Sequence, residues 1–157
     1  MLQTPPSVLA VDDVPANLLV IEAALRPLGF DVRSAASASD ARAMALHHHP
    51  DLVLLDVMMP RESGIEACRR WRTDASWDGT PIVLLTALRA DEHRVGGLAA
   101  GADDFLEKPI DVDALIRTTR RWSATGRHQG EVEASGDLRD AMHRAATQRP
   151  LPPTDPR

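Results

Sequence analysis

Five short runs rich in apolar residues recur along the first 122 residues, and each is followed by a stretch with helical spacing. The runs are SVLAV (7–11), the weaker DVRSA (31–35), LVLLD (52–56), PIVLLTA (81–87) and DDFLEK (103–108). Strands that lack polar–apolar alternation are buried on both faces, the signature of a parallel sheet covered by helices on each side. The intervening stretches supply them. Leu18, Ile21, Leu25 and Leu28 recur at three- and four-residue steps, with Pro15 in the first turn and Gly29 just past the end, which predicts a helix over 15–28. SDARAMALHHH (39–49) is a helix with a Ser or Asp cap, closed by Pro50. Helices follow over 63–75, over 90–101, where Gly96 and Gly97 loosen the pattern, and over 111–122.

The fold class is therefore α/β, a doubly wound five-stranded parallel sheet with five helices, spanning residues 7–122. Residues 1–6 are a short N-terminal extension. Residues 123–157 carry few large apolar side chains and several Gly, Pro and Ser, so they are expected to be a mostly disordered tail or linker, with a possible helix at 136–147. A net charge of −5 with both signs scattered, and no basic stripe, argues against direct DNA binding. No apolar stretch nears the roughly 20 residues that span a bilayer. The lone Cys68 excludes an internal disulfide, and the N-terminus lacks a secretion signal, so a cytoplasmic location is expected.

In a doubly wound sheet the loops beyond the carboxyl ends of the strands build the ligand site. Those positions hold Asp12 and Asp13, Asp56, Thr86 and Lys108. Unit charges about 4 Å apart repel by about 4 kcal/mol at an effective dielectric of about 20, so clustered acids either take up protons or need a cation. Oxygen-only ligation suits Mg²⁺, which binds through one or two carboxylates and keeps several waters. A carboxylate beside a metal, an ammonium and a hydroxyl can hold a phosphoryl group. Asp56 would be its acceptor through an acyl phosphate, Asp13 with Asp12 would hold the ion, Lys108 would neutralise phosphoryl charge, and Thr86 would meet one oxygen.

The segments VDD (11–13), LLDVMMP (54–60), LLTAL (84–88) and GADDFLEKP (101–109) closely resemble the receiver domain of bacterial two-component response regulators, a flavodoxin-like fold. The resemblance implies that Asp56 is phosphorylated by a histidine kinase or histidine phosphotransfer protein, and that Mg²⁺ is held by Asp12, Asp13, Asp56 and the Met58 carbonyl. It implies a cis Lys108–Pro109 bond and a switch through Thr86 and Phe105. Many relatives carry Tyr at the latter position, and Phe lacks the hydroxyl, so a switch that works by packing is expected. Met58 and Leu88 stand where relatives are often polar and flank the route of hydrolytic water, which implies a long-lived aspartyl phosphate. The implied partners are the phosphodonor and a downstream protein effector or output domain, with a possible homodimer through the fourth helix, fifth strand and fifth helix. The sequence is also similar to receivers that precede diguanylate cyclase or HD-GYP modules, and to receivers attached to histidine kinases. Such a domain catalyses only its own phosphorylation and dephosphorylation. The alternatives are a small aspartyl-phosphate phosphatase, disfavoured because DVMMP lacks a second Asp two residues on, and a flavodoxin-like nucleotide binder, disfavoured because no glycine-rich loop follows the first strand.

Other residues invite plainer readings. Asp13 alone could equally be a helix cap. His47, His48 and His49 are consecutive on a helix and point in different directions, so they read as a solvated helix end. Cys68 reads as a small buried thiol and Trp122 as a core aromatic.

Overall fold

Each of the five runs forms a strand in the computed structural model, which describes residues 4–87, 91–124 and 126: β1 (Ser7–Val11), β2 (Asp31–Ala35), β3 (Leu52–Asp56), β4 (Ile82–Ala87) and β5 (Asp104–Lys108). Four helices connect them and a fifth closes the domain: α1 (Pro15–Leu25), α2 (Ala38–His47), α3 (Gly64–Trp71), α4 (Asp91–Ala100) and α5 (112–124). All strand pairs are parallel and the order is β2-β1-β3-β4-β5. The proposed helix at 136–147 lies outside the described residues.

The pleat sorts strand residues into two cores, because successive side chains point to opposite faces. Val8 and Ala10, Leu52 and Leu54, Val83 and Leu85, and Leu106 face one core with Ile21, Leu25, Leu115 and Trp122. Leu9 and Val11, Val53 and Leu55, and Ile82 and Leu84 face the other, with Ala41, Ala67, Cys68 and Trp71. Thus α1 and α5 cover one side of the sheet and α2, α3 and α4 cover the other. Burial on both faces holds for β1, β3 and most of β4 but not for β2 and β5, where Arg33 and Glu107 are exposed. Those two are the edge strands, each with a neighbour on one side only. Trp122 is fully buried, as expected of a core aromatic, and its Nε1 donates to Asp104 Oδ2 at 2.9 Å.

Local differences from the sequence reading have local causes. The last turn of the 15–28 stretch tightens into a 3₁₀ turn at Arg26–Leu28, and Gly29 closes it in the left-handed conformation, φ 92°. The cap of α2 is Ser37, two residues before the expected start, its side chain accepting from the Asp40 N–H at 3.1 Å. Gly97 does more than loosen α4: a Cβ there would come within 2.6 Å of Leu84 Cδ1 and 2.9 Å of Phe105 Cε1, so its absence lets the helix lie close on β4 and β5. The three histidines close α2 near the surface, yet His49 Nε2 is 2.6 Å from Thr80 Oγ1 and its ring lies 5.3 Å from Trp77.

Helix α3 stops at Trp71, short of residue 75, because the next side chain turns inward. Arg72 Nε donates to the Gly101 carbonyl at 3.0 Å, Nη1 to the carbonyls of Trp77 and Thr80 at 2.5 and 2.8 Å, and Nη2 to Asp103 Oδ2 at 2.8 Å. The same Asp103 oxygen accepts from Ile82 N at 2.9 Å. This buried pair ties the end of α3 to the starts of β4 and β5, at the amino edge of the sheet. Removing one partner of such a pair strands a buried charge. Arg72→Ala is therefore expected to cost about 3–5 kcal/mol of unfolding free energy in urea titrations, and a change below about 1 kcal/mol would mean that the network contributes little.

Candidate functional site

Strand order reverses at β1, whose neighbours β2 and β3 leave on opposite sides, and the crevice beyond the carboxyl ends of β1 and β3 is where a doubly wound sheet binds ligands. Asp12 follows β1 directly, and its N–H continues the parallel ladder to the Ala35 carbonyl at 3.1 Å. It is fully buried. Its Oδ1 accepts from Val14 N at 2.9 Å, and its Oδ2 accepts from both Asn17 Nδ2 at 3.0 Å and Lys108 Nζ at 2.8 Å. Asp56 ends β3 and is 3% exposed, with Oδ1 2.9 Å from Lys108 Nζ and 3.4 Å from Met58 N. Lys108 ends β5 and reaches across β4 to both acids. Its peptide bond to Pro109 is cis.

Ligand oxygens of Asp12, Asp13 and Asp56 all lie within 4.8 Å of one another, with Asp13 the most open of the three. Asp13 is not the cap of α1: the cap residue is Val14, whose side chain makes no capping hydrogen bond, while Asp12 Oδ1 accepts from its N–H. Among the described residues, one ammonium against three carboxyl groups leaves an excess of negative charge. Burial is the largest cause of a raised Asp56 pKa, and the Asp12 charge adds to it, while Lys108 and the Met58 N–H pull the other way. For Lys108, burial acts against the ammonium, but hydrogen bonds to Asp12 and Asp56 and their charges outweigh it and raise its pKa. A hard divalent cation fits this oxygen-only donor set and would relieve the repulsion that Lys108 offsets only in part.

The loop after β3 is shaped around Asp56. Gly64 N donates to the Val57 carbonyl at 3.0 Å, and a Cβ on Gly64 would overlap the Asp56 carbonyl oxygen, so only glycine lets α3 start this close to the acid. Within the loop Arg61 takes a positive φ of 71°. Met58 is 65% exposed beside the crevice. Leu88 lies outside the described residues.

Thr86 and Phe105 stand apart from the carboxyl cluster. Strand parity places Asp56 and Lys108 on the α1/α5 face with Leu54 and Leu106, whereas Thr86 follows Leu84 and Phe105 packs on the α3/α4 face. Thr86 is buried, and among the described residues its hydroxyl makes one long hydrogen bond, 3.4 Å, to the Ala87 carbonyl. Asn17 escaped the sequence reading. Its signal was an amide in the first turn of the helix that follows the paired acids, within reach of the strand end.

The sequence profile of the Response regulator receiver domain family matches residues 8–120. The response regulator PleD of Caulobacter vibrioides is 40% identical over 132 residues, covering 82% of this chain and 29% of PleD. The phosphate regulon transcriptional regulatory protein PhoB of Pseudomonas aeruginosa is 33% identical over 144 residues, 90% of this chain and 63% of PhoB. The chain thus spans between about a third and about two thirds of these curated relatives. Among solved structures, the chemotaxis response regulator CheY4 of Vibrio cholerae superposes with a TM-score of 0.71 at 33% identity, over 75% of this chain and 98% of that one. The receiver domain of a sensor histidine kinase from Pseudomonas aeruginosa, with a magnesium ion coordinated in its active-site cleft, gives 0.70 at 35% identity, over 76% and 98%.

The raised Asp56 pKa has a consequence for stability. The folded chain holds the Asp56 proton more tightly than the unfolded chain, so ionising it costs stability; the cost is absent below the ordinary carboxylate pKa and complete above the raised folded value. In chelator, Asp56→Asn is expected to unfold at higher temperature than the wild type at pH 7, with the advantage shrinking toward about pH 4. An Asn variant that melts at or below the wild type at pH 7 would contradict this account.

Proposed function

The chain belongs to the response regulator receiver domain family, and from that premise we propose that Asp56 accepts a phosphoryl group from a phosphohistidine on a histidine kinase or histidine phosphotransfer protein. The observation that carries the reading is Lys108 Nζ, held 2.9 Å from Asp56 Oδ1 and 2.8 Å from Asp12 Oδ2. An Asp56 oxygen attacks phosphorus in line, the bond from phosphorus to the donor imidazole nitrogen breaks with its electron pair going to the ring, and an acyl phosphate remains. Asp12, Asp13, Asp56 and the Met58 carbonyl would hold Mg²⁺, which supplies charge neutralisation for the phosphoryl oxygens. Lys108 is already at the acceptor and needs only to shift from carboxylate to phosphoryl oxygen. The magnesium in the cleft of the Pseudomonas receiver supports the same ion here.

Thr86 is one residue past the β4 partner of Asp56, at the same edge, so a turn of its hydroxyl toward a phosphoryl oxygen would vacate space beside Phe105, which lies against Gly97 and Leu84. We read this as the switch: the state in which Thr86 and Phe105 move inward is favoured when the phosphoryl group is present, and the surface of α4, β5 and α5 changes with it. That face is the proposed contact for an effector, an output domain or a second copy, with residues 123–157 as linker. The reading includes a cytoplasmic location. Among the described residues no helix is long and apolar enough to cross a membrane.

Two outcomes test the proposal. Incubation with acetyl phosphate and Mg²⁺ is expected to add one phosphoryl group per chain by intact mass, releasing acetate, and to add none to Asp56→Asn or in chelator. Many turnovers of a generic phosphate ester by the wild type would favour a phosphatase instead. The apolar Met58, exposed at the crevice, gives a hydrolytic water nothing to orient it. Met58→Asn combined with Leu88→Glu is therefore expected to shorten the aspartyl-phosphate half-life at least several-fold, and an unchanged half-life would remove these side chains from the account.

A further inference from the structure

Asp12 has more donors around it than a simple metal ligand needs. An ionised carboxylate offers about four lone-pair positions. Among the described residues three are taken: one on Oδ1 by Val14 N at 2.9 Å, and two on Oδ2 by Lys108 Nζ at 2.8 Å and Asn17 Nδ2 at 3.0 Å. Oδ2 is thereby saturated, and the free position on Oδ1 is what Asp12 can offer a cation. The partners differ in kind. Val14 N belongs to the backbone and is fixed. Lys108 is shared with Asp56 and, on the reading above, leaves for the phosphoryl group. Asn17 is half-buried and sits in the first turn of α1, where its backbone N–H bonds the Val14 carbonyl at 3.1 Å, so the stem of its side chain starts from a fixed backbone, and among the described residues Asp12 is the acid that its amide serves. A carboxylate only accepts, which fixes the amide with its nitrogen toward Asp12.

We infer that Asn17 is a positioning residue for the divalent cation: its amide holds Oδ2 of Asp12 so that Oδ1 faces the ion, and keeps it so when Lys108 moves to the phosphoryl group. The inference rests on the phosphoacceptor reading above. The amide suits this role because it is neutral. It orients the carboxylate without cancelling the charge that attracts the ion, as a second ammonium would. Partners that orient a ligand from behind change metal affinity without touching the metal, and their loss typically weakens binding about 10–100-fold.

The test uses the whole chain, with Asn17→Ala, Asn17→Leu, which preserves most of the volume, and Asn17→Gln, which keeps the amide on a longer stem. Mg²⁺ binding is measured by titration calorimetry, and labelling by acetyl phosphate is followed against Mg²⁺ concentration. The Ala and Leu variants are expected to bind Mg²⁺ about ten-fold more weakly or worse, with Gln between them and the wild type. Their labelling deficit is expected at low Mg²⁺ and to vanish at saturation, which a general structural defect would not do. Mg²⁺ affinities within about two-fold of wild type in both Ala and Leu, or a deficit that persists at saturating Mg²⁺, would overturn the inference while leaving the phosphoacceptor reading intact. A wild type that neither binds Mg²⁺ nor takes label would sink that reading first, so the two failures are distinct.

Discussion

The ammonium of Lys108 between Asp12 and Asp56 is the interaction on which the crevice depends. Two buried carboxyl groups at the ends of neighbouring strands repel, and a third, Asp13, lies close by. Lys108, 2.8 and 2.9 Å from the buried pair, lets them coexist in the fold as described. It offsets their charge only in part: Asp56 still has a raised pKa, for which burial is the first cause and Asp12 a second. The residual negative charge suits a divalent cation, and on the proposed function the flexible lysine stem would let the ammonium move to an incoming phosphoryl group.

The pleat divides labour across the sheet. Asp56 and Lys108 lie on the side covered by α1 and α5, together with the core of Ile21, Leu25, Leu115 and Trp122. Thr86 and Phe105 lie on the other side, toward α3 and α4. Asp56, Thr86 and Lys108 lie at the carboxyl edge, where groups from opposite faces can converge on a single small ligand, whereas Phe105, second in β5 and paired with Leu84, lies deeper on the α3/α4 face. On the proposed function, a phosphoryl group bound there would draw on one face for charge and report to the other through packing. Gly97 lets α4 lie close against this second face, because a side chain at that position would collide with Leu84 and Phe105.

The two edges of the sheet contrast. At the amino edge Arg72 is fully occupied by three carbonyls and Asp103, and that carboxylate also receives the Ile82 N–H. Charge there is paired and buried. At the carboxyl edge, among the described residues, acids outnumber the cation. The amino edge thus holds a buried ion pair, whereas the carboxyl edge, where the proposed function places ligand chemistry, carries the imbalance, a division expected where function opposes stability.

The sequence by itself determined the element order, the parallel sheet and the positions of Asp12, Asp13, Asp56, Thr86 and Lys108 at strand ends, because period and punctuation are local properties and the topology of a doubly wound sheet brings its strand ends to one edge. The family resemblance rested on those same positions. Only the tertiary structure decided which neighbours each acid has. That Lys108 bridges two acids, that Asn17 holds Asp12, and that Gly64 is required by the Asp56 carbonyl depend on distances between segments far apart in the chain, or on the path of a loop. The early end of α3 was likewise invisible locally: WRTDA continues a plausible helical pattern, and it is the pull of Asp103 and three distant carbonyls on Arg72 that turns the chain. Spacing along the chain encodes which groups reach the edge; packing alone sets which of them touch.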